Sequence, residues 1–155
     1  MGEFLVRGLA GSTSDFGGVQ AFASLWNPHS TRAILVLEVT GMMDESGGTG
    51  LNWLLRRITA RGTPGSTITP DADNDRSMAS APPSGALLDL ANYGANQPTF
   101  SSPDLKGLAP MSNNIGGGFL WPFPEGIELP ALTGLCICSD DFYTSPPMFA
   151  FRFDD

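Results

Sequence analysis

A two-residue alternation of apolar and polar positions recurs along this 155-residue chain and marks it as a sheet protein. The clearest instance is 148–153. There Phe149, Phe151 and Phe153 share one face while Met148, Ala150 and Arg152 share the other, the signature of a half-buried strand. Residues 33–40 (AILVLEVT) form an almost unbroken apolar run of Leu and β-branched side chains with Glu38 near its end, which suits a central strand. Residues 19–25 put Val19, Ala21, Ala23 and Leu25 on one side. That strand is expected to stop at Trp26-Asn27-Pro28, because proline brings no ladder donor. In 51–59 (LNWLLRRIT), Leu51, Trp53 and Leu55 alternate between two turn signals, again predicting a strand. Shorter strands are expected at 66–69, 76–79, 126–129 and 134–139, with further apolar stretches at 87–90 and 119–123 (FLWPF).

The punctuation between these runs is glycine and proline. Residues 44–50 (DESGGTG) read as a turn, and 61–83 as mainly loop. Residues 92–118 read as a loop longer than compact domains usually tolerate, and loops of that length tend to be functional or held by a partner. The first eighteen residues carry Gly8, Gly11, Ser12, Ser14, Gly17 and Gly18 and suggest an extended arm. The expected organisation is a flexible arm over 1–18 followed by one domain over 19–155. Seven or eight short strands joined this way predict an all-β, antiparallel two-sheet sandwich of jelly-roll type with long Gly/Pro-rich loops.

Composition narrows the picture. Glycine (19) and proline (13) make up about a fifth of the chain, and charged residues only 15 %, against roughly 25 % in ordinary domains. Long helical bundles, coiled coils and collagen are excluded by that balance and by the missing periods. A 41 % hydrophobic content, with 10 Phe and 3 Trp, is enough to build a core. The net charge of −8 disfavours direct nucleic-acid binding, and no apolar run approaches the ~20 residues that span a bilayer, so neither nucleic acid nor membrane is an expected partner. The N-terminus lacks an apolar stretch of signal-peptide length, which suggests cytoplasmic synthesis.

Candidate chemistry is sparse. His29, the single histidine, sits in the polar turn Asn27-Pro28-His29-Ser30, where a solvated role fits better than a hydrolase triad. Asp71-x-Asp73-x-Asp75 begins like a calcium loop, yet Arg76 and Pro82 stand where an EF-hand needs Gly and Glu. Cys136 and Cys138, two apart on a strand, would lie about 7 Å apart on one face, too far for an easy disulfide; buried free thiols are expected. Gly47-Gly48-Thr49-Gly50 and Gly116-Gly117-Gly118 lack the Lys-Ser/Thr of a phosphate loop. Trp26, Trp53 and Trp121 suit a core or an interface more than sugar stacking. No catalytic, cofactor-binding or metal-ligating residues are nominated, and a non-enzymatic protein without cofactor is expected.

The order of features carries a resemblance. After the glycine-rich start come Leu25-Trp26-Asn27-Pro28, the apolar run 34–39, and Gly65-Ser66-Thr67-Ile68-Thr69-Pro70-Asp71. Phe123-Pro124-Glu125-Gly126-Ile127-Glu128-Leu129-Pro130, Gly134-Leu135 and the aromatic ending Phe149-Ala150-Phe151-Arg152-Phe153-Asp154-Asp155 complete it. This arrangement resembles a family of small jelly-roll virion proteins of tailed bacteriophages, from which the 92–118 segment departs as an insertion. The resemblance implies a capsid cement or head decoration protein, or a domain of a head or tail fibre, with no catalytic residues to transfer. Its implied partners are copies of itself, as a homotrimer, and the major capsid protein, met through the 1–18 arm or the 92–118 loop. Its implied place is the outer capsid surface of the virion, after synthesis in the host cytoplasm. The alternative within the virion is a receptor-binding fibre domain that recognises a host surface glycan or protein. A rival from another class is a carbohydrate-binding module.

Overall fold

The structure, a computed structural model, describes residues 2–11, 18–43, 52–72, 81–101, 105–110, 117–139 and 147–155. Its strands are β1 (Glu3–Leu9), β2 (Gln20–Asn27), β3 (Ile34–Met43), β4 (Asn52–Ala60), β5 (Ser66–Ile68) and β6 (Asp71–Ala72). They continue with β7 (Leu87–Leu90), β8 (Thr99–Phe100), β9 (Lys106–Pro110), β10 (Gly118–Leu129), β11 (Thr133–Ser139) and β12 (Pro147–Asp154). No helix occurs among the described residues. Two antiparallel sheets pack as a sandwich. Sheet A has the order β10-β3-β12-β1-β6, and sheet B the order β5-β7-β2-β11-β4-β8 with β9 also on β4.

The core lies between them. Phe149, Phe151 and Phe153 are fully buried from β12, as their spacing predicts, beside Val36 and Val39 of β3. Trp53 bridges the layers: its ring meets Phe22 of its own sheet edge-on at 4.7 Å and Phe149 of the opposite sheet at 5.0 Å.

The N-terminal arm needs correction. Residues 3–9 of the expected arm are β1, which pairs along its whole length with β12, Glu3 opposite Asp154 and Leu9 opposite Met148. Phe4 and Val6 enter the core, and Phe4 stacks on Phe153 at 5.5 Å. The glycine that hid this strand is there for packing. A Cβ on Gly8 would stand 2.6 Å from Leu90 Cδ1 and 2.8 Å from Ile68 Cδ1, so any side chain there must push the tips of both residues of sheet B aside. Gly8→Val is expected to destabilise the fold by about 1–3 kcal/mol through overpacking, read as a lower urea midpoint at unchanged m. Residues 12–17 lie outside the described residues.

Other expectations shift for similar reasons. β2 is buried on both faces rather than one, because residues 91–97, after β7, cover its outer side, where Tyr93 meets Ser24. There Ala91 N–H donates to Phe22 O, and Ala21 N–H donates to Gln97 Oε1. The pieces expected at 119–123 and 126–129 are one strand, β10, whose register against β3 shifts between Pro122 and Ile127. The turn at Glu125-Gly126 is thus a bulge, with Gly126 at φ 71°. The 92–118 loop contains β8 and β9, which extend sheet B beyond β4. The expected strand at 76–79 and turn at 44–50 lie outside the described residues.

Candidate functional site

The two outer faces of the sandwich differ sharply. Outside sheet B, the chain covers itself with a buried polar network. Asp89 on β7 has a fully buried side chain and receives two bonds from Arg61, Nε to Oδ2 and Nη2 to Oδ1, both 2.6 Å. Thr67 of β5 donates its hydroxyl to the same carboxylate at 2.7 Å. Tyr93 and Ser24 share a hydroxyl hydrogen bond of 2.8 Å close by. These contacts fasten β5, β7 and the 91–97 segment over β2. The Asp89 hydrogen bonds hold the Arg61 guanidinium above its usual range, and burial raises the Tyr93 phenol.

Cys136 and Cys138 lie in β11 as fully buried, free thiols. The Cys136 thiol donates to Ile137 O and the Cys138 thiol to Leu54 O. Burial, followed by the neighbouring Cys138, pushes the Cys136 thiol well up. The sign of the pH dependence follows from these directions. An acid whose folded-state pKa is raised binds more protons folded than unfolded once pH passes the unfolded value. Stability is therefore full below about pH 8.5, the ordinary thiol value, and falls above it. The slope approaches roughly 1.4 kcal/mol per pH unit and steepens near pH 10 as the tyrosine joins. Urea titrations at successive alkaline pH values should show this decline, and Cys136→Ala should remove its first part.

Sheet A carries no such cover among the described residues. Its outward side chains form four cross-strand rows over β10, β3, β12 and β1, fixed by the ladder registers. The first row is Gly118, Met42, Met148, Leu9; the second is Leu120, Thr40, Ala150, Arg7. The third is Pro122, Glu38, Arg152, Leu5; the fourth is Glu128, Leu35, Asp154, Glu3. None of these sixteen positions is buried. Leu9, Met42 and Leu120 are 48 %, 42 % and 56 % exposed, so the first row and the β10 end of the second are apolar, Arg7 stands exposed at the β1 end of the second, and the last two rows are mainly charged. An exposed cluster of this kind, rather than scattered single side chains, marks an interaction surface.

Elsewhere the candidate residues are engaged locally. His29 Nδ1 accepts the backbone N–H of Thr31 and of Arg32, closing the β2–β3 turn. Trp26 and Trp53 are buried, whereas Trp121 is half-exposed on edge strand β10, 4.2 Å from Phe119. Asp71 joins β6 by its backbone, while Asp73 and Asp75 lie outside the described residues. Among the described residues, no group of three His, Cys, Asp or Glu side chains is placed to hold a metal ion. A cleft of about 280 Å³ beside Ile34, Leu35 and Glu128 contains Asp155. That carboxylate is already met by Arg32 at 2.7 Å and Ser84 N–H at 2.8 Å.

The sequence did not single out the sheet A face, although alternation within 148–153 did place Met148, Ala150 and Arg152 together. What it lacked was the neighbours, since only the ladder sets Leu9 and Met42 on either side of Met148. Fold and surface together define an antiparallel β-sandwich that shields one outer face and leaves the other accessible. No protein-family model matches the chain, and neither a curated protein nor a solved structure shows detectable similarity to it.

Proposed function

We propose that this chain is a non-enzymatic structural protein of a bacteriophage virion, which cements or decorates the capsid surface by binding the major capsid protein as a homotrimer. The observation that carries the reading is strand order. One sheet runs β1-β12-β3-β10 and the other β2-β11-β4-β9, with β5 to β8 inserted between β4 and β9. This order supports reading the eight strands as two Greek keys folded into a jelly roll, an architecture widespread in viral shells. The sequence resemblance points to the same class.

With residues 3–9 of the expected arm committed to sheet A as β1, the 92–118 segment is the better candidate for contact with the shell. Purified virions provide the test. Many copies per particle, and a capsid more sensitive to heat or osmotic shock without the protein, are expected; absence from the particle would remove the proposal. The receptor-binding alternative draws support from the half-exposed Trp121–Phe119 pair. It would replace cementing if particles carry few copies, lose host adsorption without them, and Trp121→Ala abolishes binding on a glycan array.

A further inference from the structure

One backbone position breaks a rule that the other described residues keep. Positive φ occurs at five described glycines, Gly18, Gly62, Gly85, Gly94 and Gly126, and at a single other described residue, Leu132, with φ 56°. In that left-handed region the Cβ of an L-residue crowds the following carbonyl oxygen, so such a turn position ordinarily holds Gly or Asn. Burial does not offset the strain. The Leu132 side chain is 54 % exposed and lies outside the hydrophobic core. It stands in the turn between β10 and β11, Pro130-Ala131-Leu132, with Pro130 exposed beside it. A strained residue that gives the fold so little is a pointer to function. We propose that Leu132 is a docking anchor, which inserts into an apolar socket on the capsid shell protein. The inference rests on the virion reading and adds a second contact to that of the 92–118 segment.

The turn is built to hold this side chain in place. Asn27, fully buried at the end of β2, lies opposite Thr133 in the β2–β11 ladder. Its Nδ2 donates to Arg32 O at 2.8 Å, Leu129 O at 3.2 Å and Pro130 O at 3.3 Å. Its Oδ1 accepts the His29 N–H at 3.1 Å, and the Thr133 hydroxyl donates to Pro130 O at 2.7 Å. One buried side chain thus ties the β2–β3 turn to the β10–β11 turn, and Leu132 leaves the surface from a fixed base. An apolar group presented this way gives up little freedom on docking. The chemistry of the two turns describes the socket. Besides Leu132 they carry Pro28, Ala33, Pro130 and Ala131, and Arg32, their one Lys, Arg, Asp or Glu, faces Asp155 at 2.7 Å. An uncharged, apolar recess on a protein fits them; a phosphate-rich surface does not.

Shells assembled without the protein, mixed with increasing amounts of the full chain and sedimented, measure the contact. Leu132→Asn suits the left-handed backbone and removes the apolar group. It should raise the thermal midpoint by about 2–4 °C yet weaken shell binding about tenfold. Leu132→Met keeps the apolar bulk and should bind within about threefold of the wild type. A wild type that binds no shells would overturn the virion reading and this contact together. If the wild type binds, the anchor alone is overturned by Leu132→Asn binding within about threefold of it, by an equal loss in Leu132→Met, or by a midpoint that does not rise in Leu132→Asn.

Discussion

Replacing Trp53 by alanine is expected to lower the free energy of unfolding by about 3–5 kcal/mol, enough to consume much of a domain's usual margin. The indole is fully buried and touches aromatic rings on both sheets, Phe22 at 4.7 Å and Phe149 at 5.0 Å. Its loss leaves a cavity at the point where the layers meet, and strand backbones on either side are pinned by their ladders and collapse poorly into it. Trp53→Phe is a sharper comparison. The indole Nε1 has no hydrogen-bond partner among the described residues, so phenylalanine gives up contact area but also removes a buried donor that costs about 1–3 kcal/mol. The two effects nearly offset, and a change within about 1 kcal/mol is expected. Urea unfolding followed by tyrosine fluorescence or circular dichroism measures both variants; a Trp53→Ala loss below about 1 kcal/mol would contradict the bridging role.

Arg61→Ala should cost about 3 kcal/mol, because it strands the buried Asp89 carboxylate without its cation. The value sits at the low end for such a change, since about a third of the Arg61 side chain is exposed and water partly screens the pair. Thr67 continues to donate to the carboxylate but brings no charge. Asp89→Asn is expected to cost less, as it removes the charge together with the need for a counter-ion. The double variant Arg61→Ala/Asp89→Asn should then cost clearly less than the sum of the two single losses, a coupling that a double-mutant cycle measures directly. Simple additivity would mean that the pair contributes nothing. Amide exchange should also quicken across β7 in Arg61→Ala, because Asp89 ties that strand to β5.

The central strands were legible because both of their signals are local. Period two in 148–153 and the apolar run in 33–40 follow from which side chains a pleated, buried surface accepts, and both became ladder strands. β1 was hidden because Gly8 looks like linker composition when read along the chain. Its cause, the approach of Leu90 and Ile68, lies eighty and sixty residues away in sequence. The two-sided burial of β2 was hidden likewise, since the cover over Ser24 comes from Tyr93. For the candidate surface, composition gave a low charge content but no address. Leu9, Met42 and Leu120 become one patch only through ladders that join three distant strands to one another.

That same ladder pattern governs how the molecule must be made. Successive strands from β1 to β4 alternate between the sheets, and among the described residues the most local ladder joins Ile68 to Leu88. Among the described residues no consecutive hairpin is available to seed either sheet, so each of these pairings must first close a long stretch of chain. Folding dominated by such closures runs on the millisecond-to-second scale. On the ribosome, sheet A cannot assemble around β12 until Asp154 has emerged. Phe4 and Val6 wait until Phe153 and Phe151, opposite them in β12, have been made before that strand covers them.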